Sequence, residues 1–335
     1  MYSEKPLLHA REKSARPEDL RTIAFDTTPR CTMRCTKCYA ETFAKVTPLE
    51  LPIVARVLDE AYEMGCMHYV FQGGEPIEDK ERLAFFLENC HPEATYINVI
   101  SNGWRMDQET IAWLKARQVD KITFSLDSGI EAEHDADRAP GSYQRVLKAI
   151  DHVLAEGLLT GVSIVVTHQS LYQEGFQRVY DFALNKRIRL DVQIAEPVGN
   201  WDGRKDLLIT PEDAQYIQKL REKSPRLPNG QEMVKRDLYT GGEDNCPAGT
   251  RFIGITADGE VLPCNFLQYS LGNVRDKSLQ KMRADLLTNA WFSGDHPRCI
   301  IGEDPEFFDR FVSPHVGKPK PLNAYQTFNL ISTES

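Results

Sequence analysis

From residue 22 to about residue 200, short β-branched runs alternate with longer stretches whose apolar positions recur every three or four residues. That alternation of strand and amphipathic helix builds parallel sheets. Strands are expected at residues 22–26, 67–72, 96–101, 121–126, 161–167 and 190–195. After the first, Ile53, Val54, Val57, Leu58 and Ala61 share one helical face behind a T-x-x-E start at Thr47 and Glu50, with Pro48 at the first helical position. Between the fourth and fifth, a helix opens near Ser142, turns Val146, Ile150, Val153 and Leu154 inward and ends at Gly157. Six such units predict an α/β fold, a partial (β/α)6 TIM-like barrel, whose functional groups collect at the C-terminal ends of the strands.

The pattern changes after residue 200. One helix opens at Thr210-Pro211-Glu212, and the polar residues 224–242 read as a linker. Two apolar runs, 252–256 and 261–262, flank Asp258-Gly259, a strong hairpin signal that sets Cys246 and Cys264 at the far ends of paired strands. The expected organisation is an N-terminal extension (1–21), the barrel (22–200), a linker with one helix (201–242), a small α+β module (243–312) and a tail (313–335). The tail either closes over the barrel mouth or frays.

Composition narrows the setting. The 335 residues are 41% hydrophobic and 27% charged, ordinary globular values. No apolar run nears the ~18 residues of a membrane span, and the first residues lack a signal-peptide core. A cytoplasmic protein is expected, with no membrane partner. A net charge of −9 argues against nucleic acid as the main partner. In a reducing compartment, eight cysteines point to metal or redox chemistry rather than cross-links.

Three of those cysteines stand together in Cys31-Thr-Met-Arg-Cys35-Thr-Lys-Cys38. A zinc site would more often pair C-x2-C units or add histidines, and the nearest histidine, His68, is thirty residues on. A cubane cluster has four irons, each wanting a ligand, so three thiolates on one loop leave an iron open to another molecule. In C-x3-C-x2-C spacing, and with the motifs that follow at the strand ends, the chain resembles the radical S-adenosylmethionine (SAM) enzymes. The resemblance implies a [4Fe–4S] cluster on Cys31, Cys35 and Cys38 whose open iron is chelated by SAM. Tyr39 matches the family's aromatic position beside the adenine. Gly73-Gly74-Glu75-Pro76 matches its GGEP motif, which meets the SAM amino group. Asn102 in Ser-Asn-Gly, Ser125 in Ser-Leu-Asp and Arg138 match further SAM contacts. Gly199 lies in a P-x-G turn similar to the one the family sets next to the adenine, and the resemblance implies that Glu196 and Trp201 look into the substrate mouth. Cys246, Cys264 and Cys299 resemble the twitch, or shortened SPASM, module and imply a second, auxiliary [4Fe–4S] cluster. Its fourth ligand is unassigned: substrate or water on an open iron, or a side chain such as Glu303 or Asp304. Cys66 and Cys90 read as small buried hydrophobes.

The implied reaction is reductive cleavage of SAM to a 5′-deoxyadenosyl radical that takes a hydrogen atom from an unactivated carbon, with electrons from an external donor of flavodoxin or ferredoxin type. Only some twenty residues precede the first strand, too few for the peptide-recognition domain of many peptide-modifying relatives. The favoured substrate is therefore a small polar metabolite, with a ribosomal precursor peptide as alternative. An iron–sulfur electron carrier without radical chemistry is the reading from another class.

Overall fold

Seven strands lie side by side in chain order, every neighbouring pair parallel. They are β1 (Thr22–Thr28), β2 (His68–Gly73), β3 (Tyr96–Ser101), β4 (Lys121–Ser125), β5 (Leu159–Val166), β6 (Arg189–Ile194) and β7 (Val234–Arg236). This computed structural model describes residues 5–236, 245–294 and 296–332. β7 lies within the stretch read as a linker, whose residues 237–242 are outside those described. Helices α1 (Pro6–Ser14), α2 (Leu51–Glu63), α3 (Lys80–Asn89), α4 (Gln108–Ala116), α5 (Glu131–Asp137), α6 (Ser142–Ala155), α7 (Glu174–Lys186) and α8 (Pro211–Lys223) accompany them.

Every residue of β1 is buried, so both of its edges must find backbone partners. One edge pairs with β2. The other takes β8 (Phe252–Ile255) in parallel register, from Thr22↔Phe252 to Phe25↔Ile255. β8 turns back into β9 (Val261–Leu262), so the expected hairpin forms, but as the last two strands of one nine-stranded sheet. The strand that delivers Cys31–Cys38 is thus hydrogen-bonded to the strand between Cys246 and Cys264.

Two helical details differ from expectation. α2 begins at Leu51, with no side-chain cap, because the Leu49 amide donates to the Ala257 carbonyl (2.7 Å) and holds the preceding segment out of the helix. The Thr47–Glu50 capping box therefore does not form. In α6 the inward stripe is Val146, Ala149, Ile150 and Val153, whereas Leu154, one step round the wheel, is 37% exposed. Gly157 does end that helix, at φ +72°. α8 starts as expected, with Thr210 and Asp213 capping each other's backbone amides.

The sheet core is aromatic at its centre: Phe25 and Phe71 each meet Phe86 of α3 edge-on. A second aromatic cluster, of Tyr269, Phe292, Phe307, Phe311 and Phe328, fills the C-terminal module beside α9 (Leu279–Leu286). The tail joins this cluster: β10 (Tyr269–Ser270) pairs with β11 (Leu322–Asn323), and Phe328 is buried in the last helix. No helix among the described residues is long and apolar enough to cross a membrane.

Candidate functional site

The cysteine loop leaves the C-terminal end of β1 and is gripped from two sides. From the β4–α5 side, Asp137 accepts the Thr36 amide (3.0 Å) on its carbonyl and the Thr36 hydroxyl (2.8 Å) on its carboxylate. Lys37 reaches both Asp127 (3.2 Å) and Asp137 (2.9 Å). From the end of β6, Asn200 donates its amide to the Cys38 carbonyl (3.1 Å) and its side chain to the Cys35 carbonyl (2.8 Å). Gly199, at φ +59°, makes this approach feasible: a Cβ there would lie 2.1 Å from the Cys38 carbonyl oxygen. The turn therefore packs on the loop backbone, and Gly199 lies beneath the loop.

The other expected residues share one cavity at the strand ends: the three cysteines, Tyr39, Gly73, Gly74, Glu75, Asn102, Ser125, Arg138, Glu196 and Trp201. Burial raises all three thiols, Cys38 to about 11, so the chain by itself disfavours thiolates. Donors nevertheless aim at the sulfurs: the Met33 amide (3.4 Å) and Asn102 Nδ2 (3.8 Å) at Cys31, and an Arg138 guanidinium nitrogen (3.8 Å) at Cys35. Buried thiols surrounded by N–H donors suit a cationic iron cluster, whose charge supplies what ionisation needs.

The glycines do something more specific than leave space for a ligand. A Cβ on Gly74 would lie 2.1 Å from the Arg30 carbonyl oxygen, and one on Gly73 2.7 Å from that of Thr28. They let the end of β2 pack against the chain entering the cysteine loop. Glu75 is buried, and its carboxylate takes the Asn102 amide (2.7 Å) and the Ser101 hydroxyl (2.9 Å), tying β2 to β3. Burial lifts this acid to about 7 despite those bonds.

Two carboxylates passed over in the sequence are central. Asp127, the aspartate of Ser-Leu-Asp, is buried and receives Arg138 Nε at 2.5 Å besides Lys37, so it joins the cysteine loop to the Arg138 side of the cavity. The motif was read for its serine, although a charged residue at a buried strand end already signals a pair. Asp26, near the end of β1, lines the cavity on the far side. It accepts the Tyr39 hydroxyl (2.9 Å), which itself accepts from Gln72 (2.8 Å). Tyr39 thus serves a hydrogen-bonded triad and rests edge-on to Phe266 of the module.

Burial pushes Asp26 up to about 7, against hydrogen bonds from Tyr39 and Gln72. A raised acid contributes stability that is fully present below its unfolded pKa near 4 and lost as pH rises through about 7. Asp26→Asn, neutral throughout, is expected to remove a stability loss on the order of 3 kcal/mol between pH 5 and pH 8. Denaturant titrations at the two pH values check this; parallel losses in both proteins would show that Asp26 is not so perturbed.

The second cysteine set also converges. The Cys246 and Cys299 thiols hydrogen-bond to each other, and Cys264, raised by burial, feels both Cys299 and Glu196. Glu196 thereby spans from the first cavity to the second set, and the Gln193 side-chain amide donates to its carboxylate. Glu303 accepts the Cys299 amide (2.8 Å) and pairs with Arg236, while Asp304 caps the Phe307 amide (3.0 Å). Both acids considered as a fourth ligand are thus already engaged. Cys66 and Cys90 are fully buried away from either set, each thiol lifted to about 12 by burial.

Residues 25–183 match the model of the radical SAM superfamily, and residues 246–299 match that of SPASM, an iron–sulfur cluster-binding domain. The AdoMet-dependent heme synthase of Methanosarcina barkeri is 23% identical over 290 residues, covering 78% of this chain and 81% of its own length. The PqqA peptide cyclase of Granulibacter bethesdensis is 25% identical over 271 residues, covering 77% and 72%. Among solved structures, anSMEcpe with bound AdoMet and the Cp18Cys peptide superposes with a TM-score of 0.59 at 16% identity, over 93% of this chain and 95% of that one.

Proposed function

Because the chain belongs to the radical SAM superfamily and carries a SPASM iron–sulfur module, we propose that it is a peptide-modifying radical SAM enzyme with Cys31, Cys35 and Cys38 at its SAM cluster and Cys246, Cys264 and Cys299 at an auxiliary one. The observation that carries this is a shared cavity: the first cysteine set, the SAM-type motifs and Glu196 all face it, and Glu196 acts on Cys264.

Cys31, Cys35 and Cys38 would hold the cluster in this cavity, and with SAM bound it would supply the radical chemistry that removes a hydrogen atom from substrate carbon. The chain's own residues position and shield. Asn102 and Arg138 direct their N–H groups at Cys31 and Cys35, and Glu75 offers a buried carboxylate to the SAM ammonium. Asp26, Glu196 and Trp201 form the substrate side of the cavity, where Asp26, raised to about 7, is poised to accept a proton from substrate. An external flavodoxin- or ferredoxin-type donor provides the electron.

The relatives support a peptide substrate over the small polar metabolite expected from the sequence. PqqA peptide cyclase is named for its peptide, and anSMEcpe binds one although this chain spans 95% of it, which removes chain length as an argument against a peptide. The test is anaerobic: reconstitute with iron and sulfide, add SAM, dithionite and the short open reading frames encoded beside the gene as synthetic peptides, and follow 5′-deoxyadenosine and peptide mass. A peptide changed in mass by loss of hydrogen, with matching 5′-deoxyadenosine, is expected. 5′-Deoxyadenosine stimulated only by small metabolites would refute the peptide reading, and absent SAM binding would return the protein to electron carriage.

A further inference from the structure

We propose that His296 is the fourth protein ligand of the auxiliary cluster, binding iron through Nε2. The inference rests on the reading that Cys246, Cys264 and Cys299 hold that cluster, a set one thiolate short of four irons.

Backbone pairing brings the imidazole to the set. Cys246 and His296 form an antiparallel bridge, the Cys246 amide donating to the His296 carbonyl at 2.7 Å. Residues directly opposite one another in such a pair project to the same face, with Cβ atoms roughly 4.5–5.5 Å apart. The imidazole therefore leaves the backbone on the side of the Cys246 thiol, which itself touches Cys299. His296 and Cys299 are also spaced His-x2-Cys, so one turn of chain carries two donors.

The ring is held and its nitrogen unused. Trp291 lies nearly parallel to the imidazole (11° between planes, centroids 5.9 Å apart) and is itself fixed edge-on by Phe307 and Phe311. His296 Nε2 is buried and, among the described residues, has no hydrogen-bond partner. A buried polar atom left in that state costs roughly 1–3 kcal/mol, so it calls for an explanation. A metal ion supplies one, since imidazole nitrogen is an accepted replacement for thiolate on iron–sulfur clusters. The alternatives are engaged elsewhere: Glu303 with Arg236 and the Cys299 amide, Asp304 at a helix cap.

The chemical consequence is definite. A neutral nitrogen in place of a thiolate leaves the cluster one charge less negative, which raises its reduction potential. Four protein ligands also close every iron to substrate. Held in this way the cluster would supply an electron acceptor: the substrate would lose a hydrogen atom to the radical, one electron to the cluster and one proton to Asp26, and the external carrier would take up the electron.

The experiment uses full-length protein in which Cys31, Cys35 and Cys38 are alanine, reconstituted with iron and sulfide, reduced, and studied by pulsed EPR with natural-abundance and 15N-histidine labelling. A strongly coupled nitrogen that changes character with the label is expected. His296→Gln should abolish that coupling while retaining bound iron, and His296→Cys should keep four irons and lower the potential. A four-iron cluster without histidine coupling overturns the ligand assignment. A protein without any iron overturns the cysteine reading beneath it, and the iron count tells the two failures apart. If the alanine protein does not fold, the labelled wild type gives the same answer, because the isotope marks histidine nitrogens only.

Discussion

Cys35→Ala is expected to abolish reductive cleavage of SAM, with 5′-deoxyadenosine falling to the reagent background. Cys35 is the middle thiol of the loop, with an Arg138 nitrogen 3.8 Å from its sulfur and its carbonyl held by Asn200. Two thiolates cannot keep a four-iron cluster with one iron organised for SAM. The surrounding fold should persist, since the grip on the loop comes from Thr36, Lys37 and the Cys38 carbonyl. Mass spectrometry of anaerobic reactions measures the product, and iron analysis should show the auxiliary cluster's share remaining. Cleavage retained at a tenth of wild type would refute the placement of the SAM cluster.

What could be read from the sequence was local. The strand-and-helix alternation, Gly157 as a helix end, the Thr210 cap and the hairpin at Asp258-Gly259 depend on residues within a few positions of each other. So does the cysteine spacing, where the chemistry itself sets the interval. The differences arise where distant chain decides. The Thr47–Glu50 box fails because Ala257, two hundred residues on, takes the Leu49 amide. β8 reads as half of a free-standing hairpin until β1, buried on both faces, is seen to need a second partner. Gly73, Gly74 and Gly199 read from the sequence as neighbours of SAM, but what presses on them is the backbone of the cysteine loop and of its approach. His296 escaped because a lone histidine carries no signal until backbone pairing sets it opposite Cys246. Substrate choice is least legible of all, since the side chains proposed for the substrate side of the cavity, Asp26, Glu196 and Trp201, converge from separate strand ends.

Asp127→Ala is expected to be the most destabilising change near the site, by about 3–5 kcal/mol, because it removes one member of a buried charge network. Burial alone would raise this carboxyl, but Arg138 and then Lys37 beside it hold it well below the usual carboxylate range. Lys37 keeps Asp137 after the substitution, at 2.9 Å. Arg138 is the group left stranded, a buried guanidinium whose ion-pair partner among the described residues is Asp127. A depressed carboxyl contributes stability that is present above its unfolded pKa near 4 and lost as pH falls through its lower folded value. Wild-type stability should therefore fall as the pH is lowered from about 5, and the variant should fall less, since it has already lost that contribution. Denaturant unfolding of both proteins at pH 7 and pH 4 checks size and sign together. The gap between them should be widest at pH 7, and a gap under about 1 kcal/mol there would mean that the network is not what joins the cysteine loop to the end of β4. The same substitution should loosen the loop and speed iron loss to a chelator, linking a buried ion pair to the cysteine loop it braces.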